Sequence, residues 1–270
     1  MLSALTTAVS HSALKAGKDK LAIRAIASCC SFVVFFPIAL FVGLPSSDVM
    51  PWLAARAVVL WTYQLVIMRS YSISDFSVAF PIARGVVPLI TAFAGVMLLG
   101  DSLGTASVFG IALISLGVLS LASGRSISGH GLQMAVLAGA LTATYTVMDA
   151  KGVRIANSPI VFISWAFVID SLVMPPFFAI KNRGQIGQML RRDAKTGIVA
   201  GVTMIISFGA ALFALGMVPV GVVSALRETS VMFGIVLAAA ILHETVTLRR
   251  KIGSALVVAG AIVAITATSM

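Results

Sequence analysis

Long apolar runs, separated by short polar breaks, constrain this chain more than any other feature. Ten follow one another, at about residues 1–16, 21–44, 51–68, 76–99, 105–122, 132–150, 158–180, 198–217, 219–242 and 251–269. Most approach the ~20 residues an α-helix needs to cross a ~30 Å hydrocarbon core. The breaks carry turn chemistry: KAGKDK, GLPSSD, RSYSISD, GDSLG, SGRSISGHG, KGVRIANSP, a basic loop over 181–196, GMVPVG and HETVTLRRK. The first run is short for a span. It either continues through Ala16, lacks some N-terminal residues, or lies tilted and partly interfacial. Met1 opens directly on apolar sequence, without the basic residues that precede a secretory signal.

Composition agrees. The chain of 270 residues is 59% hydrophobic and 10% charged, with mean hydropathy +1.07. Soluble domains carry about 25% charged residues, so an all-α integral membrane protein is expected. The longest polar stretch, 181–196, is too short to fold alone. The net charge of +10 does not point to nucleic acid, because most Lys and Arg fall in clusters between apolar runs. The loops after the odd-numbered spans hold Lys15, Lys18, Lys20, Arg69, Arg125, Lys181, Arg183, Arg191, Arg192, Lys195, Arg249, Arg250 and Lys251. Those after the even-numbered spans hold only Lys151 and Arg154, with Arg56 nearby. The positive-inside rule places the odd loops in the cytoplasm. Cys29 and Cys30 are neighbours in one run, so they read as packing residues. No Cys/His cluster has metal spacing, HETVTLRRK is not a zinc motif, and no cofactor is expected.

The runs repeat. A shift of 143 aligns Arg84 with Arg227, Asp101 with Glu244, Gly110 with Gly253 and Gly117 with Gly260. Ala4-Leu5-Thr6 resembles Ala140-Leu141-Thr142 at a slightly different shift. The chain therefore reads as two halves, 1–125 and 130–270, of five helices each. Five is odd, so the halves enter the membrane from opposite sides. Such a 5+5 inverted repeat is a mark of secondary transporters, whose sites lie near the midplane.

Two arginines occupy that depth. Arg84, in FPIARGVVP, and Arg227, in SALRETSVM, each lie eight residues into a span, ~12 Å deep from opposite faces. A charge there needs a wet cavity or a partner. Pro81 and Pro88 remove hydrogen-bond donors on either side of Arg84 and predict a kinked helix. Arg84, Arg227 and Glu228 are candidate substrate contacts, with an acidic partner as the structural alternative for Arg227. Asp170, near the centre of the seventh span, is a candidate proton carrier, as is Glu228; a structural ion pair of Asp170 with Arg84 or Arg227 is its alternative. Asp149, beside Lys151, reads as an interfacial charge. His11, Trp61, Tyr63, Gln64, Tyr145 and Trp165 are candidates to line the same cavity, each with a packing or interfacial alternative. The glycines of the fifth and tenth spans, seven residues apart, permit close helix contact within the bundle or between two copies as a homodimer.

These residues resemble the drug/metabolite transporter superfamily in its ten-helix EamA branch. The carriers are HSALKAGKDK, FPIARGVVP, the GDSL corner, VSALRETSV, the HET corner, and the helix of Gly253 and Gly260. Their order and the shared 17-residue Arg-to-acid spacing make the match specific. The resemblance implies a central cavity worked by alternating access. It also implies export of a small metabolite, amino acid or drug, often in exchange for protons, and no enzymatic activity. Asp101 stands where the family commonly has Glu. The expected protein is a multi-pass carrier of the inner (cytoplasmic) membrane whose partners are a small solute, the bilayer and protons as coupling ion. The alternatives are a flippase for a lipid or lipid-linked sugar, and a non-transporting subunit.

Overall fold

The computed structural model describes residues 2–16, 19–73, 76–122, 127–182, 186–233 and 247–268. The elements are α1 (Leu2–Ala16), α2 (Lys20–Val42), α3 (Met50–Ile73), α4 (Phe76–Ala94) with a π-helical turn at Gly95–Leu99, and α5 (Thr105–Ser120). There follow α6 (Gly129–Ile155), α7 (Pro159–Ser171), α8 (Met174–Lys181), α9 (Ile186–Leu215), α10 (Val220–Glu228) and α11 (Leu248–Thr268). No strand occurs among the described residues. Each of the ten apolar runs holds a helix among the described residues. Among the described residues five spans meet both the length and the hydropathy needed to cross a membrane: Leu21–Val42, Val78–Leu99, Gly129–Ile155, Pro159–Lys181 and Ile186–Leu215. Shorter apolar helices cover Thr105–Ser120 and Lys251–Ala267.

Three boundaries differ from expectation. The seventh span breaks at Leu172–Val173, where Pro175 and Pro176 start a new helix, α8, at its tolerant first turn. The basic stretch after it is not a loop. Its Gln-Met-Leu-Arg-Arg and Ala-Lys residues are good helix formers, and α9 runs through them unbroken from Ile186. The ninth span turns at Thr229, just past Glu228, and helical geometry then resumes as far as Phe233.

Large apolar side chains point outward. Phe41 is 93% exposed and Val33 70%, while the interior is rich in Ala, Ser and Gly. That is the pattern of a surface solvated by lipid, with small residues letting helices approach. The connections sort to two ends. At one, Asp19 caps α2 by accepting from the backbone of Leu21 and Ala22. There Ala22 and Ala25 pack on Phe178, Ile186 and Leu190. At the other end, Asp101 of the α4–α5 corner accepts from Arg154 Nη1 at 2.6 Å and from the Val220 backbone N–H at 2.7 Å. Arg154 also donates to the carbonyls of Leu215 and Val218. The connections after the first and seventh spans thus meet at the first end, and those after the fourth, sixth and eighth at the second. Gly100, at φ +71°, makes the left-handed turn that brings Asp101 into place.

α5 and α11 pack antiparallel with their backbones touching. A Cβ on Gly110 would lie 2.8 Å from the Gly260 carbonyl oxygen, and one on Gly260 would lie 2.7 Å from the Gly110 carbonyl oxygen. Gly117 and Gly253 meet in the same reciprocal way, at 2.8 and 2.9 Å. Backbone cannot step aside as a side chain can. Gly260→Leu is therefore expected to destabilise the protein by about 3 kcal/mol, at the upper end of overpacking effects. A thermal-melting series in detergent checks this: Gly260→Ala should fall between wild type and leucine, and equal midpoints for all three would contradict the contact.

Candidate functional site

Six charged side chains lie at membrane depth among the described residues, and two of them, Arg56 and Arg227, flank Phe208 of α9. Arg56 of α3 is 0% exposed. It grips Asp170 of α7 with two parallel hydrogen bonds, Nη1 to Oδ1 at 2.8 Å and Nη2 to Oδ2 at 3.1 Å. Its Nε faces Asp149 Oδ1 of α6 in a second, closer ion pair. Arg84 of α4 pairs through Nε with Glu228 Oε2 of α10 at 3.2 Å, and its guanidinium lies 5.7 Å from the Phe80 ring centre. Arg227 of α10 sits 5.4 Å from the Phe208 ring centre, and Arg56 sits 6.0 Å from it. One ring therefore serves two cations, a favourable contact with its electron-rich face. Phe208 is held edge-on by Phe167 at 5.8 Å, which stacks on Phe35 of α2 at 4.2 Å.

The charges do not pair evenly. Three arginines and three carboxylates sum to zero. Arg56 is matched by two carboxylates and Arg84 by one. Arg227 lies in the electrostatic field of Glu228, Asp149 and Tyr145, yet its Nε is buried without a hydrogen-bond partner among the described residues. A buried donor left unpaired is uncommon in a folded protein.

Tyr145, 7% exposed, lies within electrostatic reach of Arg84, Arg227 and Asp149. It is 5.8 Å, centre to centre, from Tyr63 of α3. So the structure groups Arg84, Arg227, Glu228, Asp170, Tyr63 and Tyr145. It does not bring Trp165 there: its indole N–H donates to the Gly43 carbonyl at 2.9 Å, in an exposed bond to the α2–α3 connection. Trp61 also keeps a buried indole N–H with no partner among the described residues. His11 belongs to α1, but its side chain lies outside the described residues. α4 stays helical through Pro81 and Pro88, and the irregular backbone comes later, at the π-helical turn after Ala94.

Two residues need correction. Asp149 is not an interfacial charge. The sixth span was expected to stop at residue 150, but α6 continues to Ile155, which carries Asp149 inward to 1% exposure. Asp170 is in an ion pair, but with Arg56 rather than Arg84 or Arg227. Arg56 lies six residues into α3, whose start at Met50 is within one residue of expectation, yet it was set beside the even-numbered loops. Its signal was the one that singled out Arg84, an arginine inside an apolar segment.

An apolar outer surface and helices of spanning length define a multi-span membrane protein with a buried charge cluster. A family model described as the EamA-like transporter family matches residues 129–266, just over half of the chain, and the chain belongs to that family. A solved crystal structure, described only as that of a protein, superposes with a TM-score of 0.74 at 17% identity. The match covers 99% of this chain and 94% of the other, and shows a shared fold. No curated protein matches.

Proposed function

We propose that the protein is a secondary carrier that exports a small polar solute from the cytoplasm by alternating access, in exchange for protons. The observation that carries this reading is Arg227, a buried cation with an unused donor, beside a triad that holds one negative charge more than positive. A solute bearing a carboxylate and an ammonium group fits both. Its carboxylate takes Arg227, and its ammonium lies against Asp170, whose side chain keeps 19% exposure. Asp170 and Glu228 are the proton-coupling groups, each released from its arginine when solute or proton takes its place. Pro81 and Pro88 leave carbonyls of α4 free beside Arg84.

The two halves, 1–125 and 130–270, are related by a two-fold axis in the membrane plane. The shift of 143 turns the contact Gly110–Gly260 into Gly253–Gly117, which is also present. Reciprocal pairing of this kind is how a self-complementary interface behaves. The packing of α3 on α6 likewise recurs as α9 on α1. Three ion-paired clusters join one half to the other: Arg56 to Asp149 and Asp170, Arg84 to Glu228, and Asp101 to Arg154. The membrane is the inner, cytoplasmic one, with the basic end of the bundle inside.

Proteoliposomes enclosing a pH-sensitive dye test this. Amino acids, organic acids and cationic drugs are applied in turn to wild type, Arg84→Ala and Asp170→Asn. The expected result is a solute-evoked proton flux that both variants lose while keeping their melting curves. Unchanged flux in both variants would return these charges to a purely structural role.

A further inference from the structure

A groove of 590 Å³ opens on the outer surface between α2, α8 and α9. It is far from the buried charges in chemistry: Ala25, Cys30 and Val34 of α2, Phe178 of α8, and Leu190 and Val202 of α9 form its walls. Among the described residues no charged side chain lines it. Its volume falls within the ~300–1,000 Å³ of small-molecule pockets. The contact from Ala25 to Val34 covers nine residues, or ~14 Å of helix. That is about half of a ~30 Å hydrocarbon core, the depth of one leaflet.

One end of the groove is basic. α9 has 30 residues and is ~45 Å long, about 15 Å more than the core is thick. The excess falls in its first turns. There Ile186, Leu190 and Ala194 continue the groove while Arg191 and Lys195 are exposed beside it, and Lys181 ends α8 nearby. Asp193, the only acid in this part of α9, is buried and paired with Arg192. An apolar slot one leaflet deep, opening at headgroup level among cations, has the shape and charge of an anionic phospholipid with one chain inserted. Basic pockets between helices on the cytoplasmic side are the usual setting for such headgroups.

We propose that this groove is a binding site for an anionic phospholipid of the cytoplasmic leaflet, with one acyl chain between α2 and α9 and the headgroup at Lys181, Arg191 and Lys195. The site is independent of the solute-binding residues. Its walls come from both sides of the 125–130 junction, so the lipid bridges the two parts of the chain.

Native mass spectrometry from detergent micelles tests the proposal, using dioleoyl phosphatidylglycerol against dioleoyl phosphatidylcholine. The wild type should retain phosphatidylglycerol and melt at a higher temperature with it, and should show neither effect with phosphatidylcholine. Each Lys or Arg near an anionic surface changes partition roughly fivefold. The triple variant Lys181→Gln/Arg191→Gln/Lys195→Gln, altered only at exposed positions, should retain phosphatidylglycerol at least about tenfold less well. Ala194→Phe, which fills the groove, should lose the adduct while remaining monodisperse. Equal retention of both lipids by the wild type, or undiminished retention of phosphatidylglycerol by either variant, would overturn the assignment.

Discussion

Arg56→Leu is expected to lower stability by about 3–5 kcal/mol, the range found when one member of a buried ion pair is removed. The arginine is buried and both carboxylates depend on it, Asp170 through two hydrogen bonds and Asp149 through Nε. Leucine would leave two carboxylates at membrane depth with no cation bonded to either. Arg56→Lys should fall in between, because an ammonium cannot make the parallel pair of bonds to Asp170 while also facing Asp149. Thermal melting in detergent gives the order. A control separates charge from packing: Arg56→Leu combined with Asp149→Asn and Asp170→Asn should recover most of the loss, since no unpaired charge remains. If Arg56→Leu alone melts with the wild type, the triad does not hold these helices together.

Arg227→Gln is expected to do the opposite, abolishing transport while sparing the fold. Among the described residues no acid is hydrogen-bonded to Arg227, so its removal orphans none of them; on the proposed reading the loss is borne by the solute. Truncating one side of a buried, hydrogen-bonded charge pair costs about 2–5 kcal/mol, or roughly 30- to 4,000-fold in affinity. The flux at low solute concentration should fall by about 100-fold or more, well within that range. Arg227→Lys keeps the charge but loses the planar fork, so it should raise the half-saturating concentration more than it lowers the maximal flux. Full flux in the glutamine variant would remove Arg227 from the path of the solute.

The spans and the paired arginines were legible because hydropathy and charge are local properties of the chain. Ten runs and their breaks required only a length criterion, and Arg84 and Arg227 stood out against apolar neighbours. What could not be read were partners. That Arg84 meets Glu228 and Arg56 meets Asp170 depends on how α3, α4, α7 and α10 converge, and no spacing encodes it. One error came from a boundary: ending a helix at residue 150 made Asp149 look superficial. Arg56 was set beside the loops although its helix begins where expected. Five residues of helix, ~7–8 Å, were enough to move Asp149 from interface to interior. The basic part of α9 misled differently: charge was taken as a sign of a loop, although its residues favour helix. Phe208, which two arginines share, gave no signal, because a phenylalanine in an apolar run is indistinguishable from a packing residue until its neighbours are known.

The glycine crossings of α5 and α11 have a mechanical consequence. Side chains that interlock act like gear teeth, and turning one helix on another means disengaging them. At Gly110 on Gly260 and Gly117 on Gly253 there are no teeth. Backbone bears on backbone, with Val257 and Ile114 packed alongside. The two contacts are seven residues apart, ~10 Å along the axis, so they form a short bearing rather than a single point. Elsewhere the bundle is fastened by ion pairs that must open for its parts to move. Under the proposed alternating access, this crossing would be the fulcrum about which the two halves rock.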